Sequence, residues 1–379
     1  MARTVKHFSL HRIPGGMPTG AGPSTGSGGT ELRVVSDVAM GVLPVIQEEI
    51  DVIQNYSRSG GSNLYSAWSH RWVTLFILQD MQPLIRQLSH AETSSPTRSG
   101  DRGIQSVAQR PVVNIYDLAN PDRCHVFINH DVMVNAGYWG DLQAVRGLLA
   151  HEHAHPIAEN ETIRSSRALG NLAIVRAEAI TDLHLPDSLL VAWAEQLSTQ
   201  APSEIFANEC AIRSGFGQAL QYLDQLNVAN AVRSLAGRET LHRHLQQQVA
   251  QGTLGVLAAE LLLFFGDLES QLNMVLEIAA FYRAGWEDGA RELEATMETD
   301  VFAHFDPRVA QTYADLRELY ITLTPDLPVP GLVAWCEDVW RVLTHVLAEK
   351  GLETHFILPE RGRADTHAAS AHQRDRATP

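Results

Sequence analysis

Cysteine is nearly absent from this 379-residue chain: only Cys124, Cys210 and Cys336 occur. Their odd number and wide spacing exclude a disulfide framework and a cysteine metal knuckle, which predicts a reducing, cytoplasmic setting. Basic residues are scarce as well, 29 Lys and Arg against 44 Asp and Glu, giving a net charge of −15. Such a surface repels phosphates, so nucleic acid is not an expected partner. Long apolar runs are missing too. The strongest, Leu254 to Phe265, carries Glu260 in its middle and falls short of the roughly 20 residues a bilayer needs, so no membrane partner is expected. The first fourteen residues hold no apolar stretch of the secretory kind, so export is not expected, and no repeat period suggests a solenoid.

What is present is ordinary for a globular protein, with 45% hydrophobic and 19% charged residues, enough for one large core or two to three smaller ones. The stretch GGMPTGAGPSTGSGGT over 15–30 cannot repay the entropy of ordering, so 1–30 reads as a disordered Gly-rich leader. It lacks the lysine and following helix of a phosphate loop. Apolar residues at helical spacing, Val45, Ile46, Ile50 and Ile53, then Trp68, Trp72, Leu75 and Leu78, predict a helical hairpin over 31–90. A polar linker is expected over 91–110 and a metal-site core over 111–200. Within that core Val112–Leu118 and Cys124–Val134 read as strands around the turn Asn120-Pro121-Asp122. From Asp141 onward nearly everything reads as helix, giving a C-terminal helical region over 201–355 and a disordered tail over 356–379.

The chemistry is concentrated in DLQAVRGLLAHEHAHP, residues 141–156, where His151-Glu152-His153-Ala154-His155 forms H-E-x-x-H. On a helix, positions four apart differ by about 40° in direction and about 6 Å in height, so both imidazoles can meet one ion. Glu152 lies about 100° round from His151, within reach of a water on that ion. Asp141 can cap the helix, and Val145, Leu148 and Leu149 supply a stripe that buries it. Pro156 should stop or kink the helix, because its ring clashes with the carbonyl of Glu152. Downstream, Glu178 and Asp182 share a helix face in Arg176-Ala177-Glu178-Ala179-Ile180-Thr181-Asp182. Glu178 can give a third ligand while Asp182 accepts the outer ring N–H of a ligand histidine.

H-E-x-x-H followed by E-A-I-T-D resembles the gluzincin zinc metallopeptidases, over about residues 145–185. The resemblance implies Zn2+ held by His151, His155 and Glu178, Glu152 as general base and acid, and Asp182 behind a ligand imidazole. It also implies an α+β fold, mainly α, with zincin-like helices beside a small β-sheet and further helices at both ends. Glu161, six residues past His155, is the competing third ligand, as the metzincin spacing would have it; only Glu178 has a carboxylate partner one turn on.

His153 points about 200° from His151 and reads as a satisfied or exposed side chain. His242 and His244, or Tyr222 or Tyr282, are candidates for hydrogen bonds to a developing oxyanion. The expected activity is hydrolysis of a peptide or protein substrate, with the strand over 124–134 as the sheet edge along which an extended peptide pairs. The competing expectation is a non-catalytic helical protein that binds metal for stability or serves as a scaffold. Glu204 to Leu220 reads as a buried helix, with Gly215 and Gly217 at close backbone contacts.

Overall fold

The computed structural model describes residues 5–14, 29–59, 64–83, 109–176 and 185–358. They divide into two compact units, the first of Met1–Asn160, Ser203–Ser234 and Glu277–Val301, the second of Glu161–Pro202, Leu235–Leu276 and Phe302–Pro379.

The first unit opens with strands β1 (His7–Ile13) and β2 (Thr30–Ser36), helix α1 (Val42–Ser59), and strands β3 (Trp72–Leu78), β4 (Val112–Tyr116) and β5 (Arg123–Asn129). The short helix α2 (His130–Asn135) and the helix α3 (Leu142–Ile157) follow. The strands form one mixed sheet in the order β1-β2-β3-β5-β4, with β2, β3 and β5 parallel and both edge strands antiparallel to their neighbours. Register decides which face is core. Leu32, Val73 and Cys124 lie side by side, as do Val34, Leu75 and Val126, and all six are buried. Side chains opposite one another on neighbouring strands share a face, so these rows form one continuous apolar surface. Helix α1 contributes Val45, Ile46, Val52, Ile53 and Tyr56 to the buried core, and α1 packs on α3 and α3 on β4. Each such side chain stabilises the fold by about 1.5–3 kcal/mol on burial.

The hairpin expected over 31–90 is therefore one helix between two strands. Trp72-Val-Thr-Leu-Phe-Ile-Leu78 is almost continuously apolar, so it satisfies the helical spacing and the period of two at once, and the β-branched and aromatic content decides for strand. The leader also contains structure: His7–Ile13 pairs with β2 over seven positions. Residues 15–28 of the leader, 84–90 of the expected hairpin and 91–108 of the linker lie outside the described residues, as does the tail from 359 on. The strand expected over 124–134 ends at Asn129, whose side chain accepts from Val132 N and caps α2. That strand is interior, between β3 and β4, so the sheet edge beside α3 is β4.

Further along the chain come α4 (Glu161–Leu169), β6 (Ala173–Arg176), α5 (Asp187–Leu197) and α6 (Ala201–Ala211). A π-helical turn, Ile212–Phe216, leads into the long helix α7 (Gly217–Ala250), then α8 (Val256–Gln271), α9 (Met274–Ala284) and α10 (Glu287–Asp300). The chain ends in α11 (Pro307–Ile321), α12 (Val329–Ala348) and β7 (Thr354–Ile357). The architecture is α+β and mainly α. The second unit holds a two-stranded antiparallel sheet, β6 with β7, so the last strand reaches two residues into the expected tail. Gly215 has φ +96°, a non-helical conformation that puts a kink between α6 and α7 and that a side chain would strain. At Gly217 a Cβ would come within 3.0 Å of the Trp286 ring. Among the described residues no helix is long and apolar enough to cross a membrane.

Candidate metal centre

Helix α3 begins where expected, with Asp141 accepting from Gln143 N and Ala144 N at 3.2 and 3.1 Å. Two unsatisfied amides of its first turn are thereby capped. Gly147 lets α3 lie against α7, since a Cβ there would be 2.9 Å from the Ala219 carbonyl. Pro156 sits inside the last turn, and the helix runs one residue beyond it to Ile157. A proline lacks the N–H that would pair with the carbonyl four residues back. That carbonyl belongs to Glu152, and Asn114 Nδ2 on β4 donates to it instead at 3.1 Å. The last turn thus stays helical, and His151 and His155 stay on one face.

Their Nε2 atoms are 3.1 Å apart. Glu204, from the first turns of α6, brings a carboxylate oxygen to 3.2 Å from His151 Nε2 and 3.8 Å from His155 Nε2. Ligands of a tetrahedral ion with bonds of 2.0–2.1 Å are about 3.3 Å apart, so the three atoms have the spacing that one small cation requires. Outer partners agree. His151 Nδ1 is 2.6 Å from Asn208 Oδ1, and His155 Nδ1 is 3.2 Å from Ser203 Oγ. With His151 Nδ1 donating to the Asn208 oxygen, its Nε2 lone pair faces His155 Nε2, and wherever His155 also carries its proton on Nδ1 two acceptors meet. Two acceptors at that distance need a proton or a cation between them. The group His151, His155 and Glu204 can therefore hold a metal ion, and among the described residues no other three His, Cys, Asp or Glu side chains converge as closely.

Electrostatics match the geometry. Burial alone would lower the His151 imidazole, but the hydrogen bond and charge of Glu204, helped by Glu152 and Glu277, carry it up to about 10. Burial would raise Glu204, yet the charges of His155 and His151 hold it well below the usual carboxylate range. A site this negative attracts positive charge, whether protons or a metal. Glu277 of α9 is raised to about 7, by burial first and then by Glu204, against the pull of His151 and the Asn208 bond.

Glu152 is buried, at 7% exposure. Its Oε2 accepts from Asn114 N at 2.9 Å, and burial, opposed by the His151 charge and this bond, raises its carboxyl above the ordinary value. It is not one of the three converging groups.

Other sequence candidates are engaged elsewhere or lie outside the described residues. Glu178 and Asp182 fall in 177–184, outside them. Glu161 is exposed and pairs with Arg164 at 3.0 Å. His153 is fully buried and its Nε2 bonds Glu49 at 2.8 Å, while its Nδ1 meets no partner among the described residues, so of the satisfied and exposed alternatives it is not the exposed one. His242 and His244 lie on α7 beside Gln246 and Gln248, at 3.1 and 3.0 Å. The hydroxyls of Tyr222 and Tyr282 donate to Asp141 and Glu294, each at 2.6 Å. The residues missed were Glu204 and Asn208. Their spacing of four repeats the ligand-and-partner spacing sought at Glu178 and Asp182, but the partner is an amide, and a search for paired carboxylates passes over it.

Comparison of the chain with protein-family models, with curated proteins and with solved structures finds no match in any of the three.

Proposed function

We propose that the protein is a zinc-dependent metallopeptidase. The observation that carries this reading is the convergence of both H-E-x-x-H imidazoles with Glu204, while the intervening Glu152 stays outside the group. Two imidazoles and one carboxylate suit zinc and leave a fourth position open, the hallmark of a catalytic rather than a closed structural site. Zinc, when bound, supplies a Lewis acid and a water acidified to a pKa of about 7. Glu152 would be the base that takes the attacking water's proton as the new C–O bond to the scissile carbonyl carbon forms. Glu152 then returns the proton to the amine nitrogen as the C–N bond breaks. The bond from Asn114 N holds one carboxylate oxygen of Glu152, so the other is the one that handles the proton. An extended peptide or protein substrate lies along the β4 edge rather than along β5.

The experiment is Glu152→Gln. Zinc content and melting temperature should stay at wild-type values, and hydrolysis of a fluorogenic peptide library should fall by about 10²–10⁴-fold. Hydrolysis that persists in the variant overturns the assignment.

One observation favours the second reading, a metal-stabilised protein without catalysis: Asn114 donates two bonds to Glu152, one to its side chain and one to its carbonyl, and these tie α3 to β4. Under that reading, stripping the metal melts the fold and no peptide is cleaved. Under the first, stripping abolishes hydrolysis at a smaller cost in stability.

A further inference from the structure

The outer surroundings of the two ligand histidines differ. His155 Nδ1 meets the hydroxyl of Ser203, which can donate or accept and so leaves the ring tautomer open. His151 Nδ1 meets the amide oxygen of Asn208. An amide could equally present its NH2 group to the ring, which would force the proton onto Nε2 and close that atom to a metal. Behind Asn208 stands Glu277, whose Oε2 accepts from Asn208 Nδ2. Asn208 is 2% exposed, so solvent does not substitute for either partner.

We infer that Glu277 is a positioning residue that acts through Asn208, fixing the amide so that His151 carries its proton on Nδ1 and turns the Nε2 lone pair towards the ion. The logic runs along one chain of bonds. A carboxylate offers acceptors, so the Asn208 nitrogen must face Glu277 and its oxygen must face His151. An oxygen can only accept, so His151 Nδ1 must donate, and Nε2 is left free to ligate. Charge on Glu277 polarises the amide and strengthens its oxygen as an acceptor, as adjoining hydrogen bonds do. The amide thereby takes the part that a carboxylate often plays directly behind a ligand histidine.

The backbone is built to hold this geometry. Glu209, next to Asn208 on α6, is buried and bonds Arg283 of α9 at 2.8 Å and Arg213 at 2.9 Å. Glu277 and Arg283 lie on the same helix, so the ion pair that locks α9 against α6 also sets Glu277 beside Asn208. Sequence spacing gave no hint of it, because Glu277 is 69 positions from Asn208.

This inference rests on the metal-centre reading, and the test separates the two. Zinc affinity is measured by chelator competition at pH 7.5 on the full chain, with the melting temperature of the zinc-free form as a control for folding. Glu277→Gln offers the amide a donor as well as an acceptor, so its zinc affinity should fall by about 10–100-fold, the range for outer partners of a ligand histidine. The exchanged pair Asn208→Asp with Glu277→Gln puts the carboxylate directly behind His151 and an amide behind it, and should restore affinity to within a few-fold of wild type. A purely structural role for Glu277 predicts no such rescue. Wild-type affinity in Glu277→Gln, or an exchanged pair no tighter than Glu277→Gln, overturns the inference while leaving the metal centre intact. Failure of the wild-type chain to bind zinc overturns the metal centre itself.

Discussion

The two units differ in emphasis in how they bury polar side chains, although the second also holds the Arg238–Asp267 ion pair, at 2.7 Å with Asp267 buried. In the first, buried or half-buried titratable groups meet one another across long stretches of chain: Glu49 with His153, Glu204 with His151, Glu209 with Arg283. In the second, buried polar groups mostly satisfy the backbone. Thr162 donates to the Thr324 carbonyl and accepts from Leu327 N, Ser198 donates to the Ala194 carbonyl and accepts from Trp340 Nε1, and Tyr320 donates to the Leu197 carbonyl. Backbone stitches of this kind stabilise a helical assembly at about 1 kcal/mol each and carry no charge. Pairs of titratable groups cost more to bury, and breaking one leaves an uncompensated charge. Of the three pairs, Glu204 with His151 belongs to the converging group itself. The three residues that can hold a metal ion, His151, His155 and Glu204, all belong to the first unit.

Two measurements sharpen that contrast. The larger effect concerns His70 of the first unit, which is buried and whose Nδ1 donates to the Pro121 carbonyl at 2.6 Å. Burial, with the nearby His153 charge, lowers its imidazole to about 4 from an ordinary 6.5, against the pull of that carbonyl and Asp122. Below pH 6.5 the unfolded chain takes up a proton that the folded one refuses, so stability falls as pH drops from 6.5 and levels off below about 4. The full change is about 3 kcal/mol. His70→Asn, which keeps a donor near the Nδ1 position, should flatten this part of the profile in urea melts followed by the first unit's tryptophans; an unchanged slope would remove His70 from the account. The smaller effect concerns the second unit: Tyr320→Phe deletes one backbone stitch and should cost about 1 kcal/mol in the same melts, with zinc affinity and the pH profile unchanged. A shift in zinc affinity from that substitution would break the contrast.

Much of the site could be read from residues 141–155, because a cap, a stripe and H-E-x-x-H are all local patterns on one helix. Pro156 was expected to stop or kink the helix, and the helix ends one residue beyond it; what the sequence hid is that Asn114, from 38 positions earlier, satisfies the carbonyl that the proline orphans. Glu204 was read as part of a buried core helix; it lies on a helix but is itself half-buried, and which side chain of that helix faced His151 depended on how α6 packs beside α3. Trp72–Leu78 shows the same limit in the fold. A run apolar on both faces carries no period, and only pairing between β2 and β5 makes it a central strand. The order and direction of the strands, and with them the identity of the edge at β4, are long-range facts that local spacing does not encode.

The most direct test of the central claim is an anomalous-difference map recorded at the zinc absorption edge on crystals of the zinc-loaded protein. The account predicts one strong peak about 2 Å from His151 Nε2, His155 Nε2 and a Glu204 oxygen. A map without that peak, or a peak bound by Glu178 with Glu204 turned away, would contradict it.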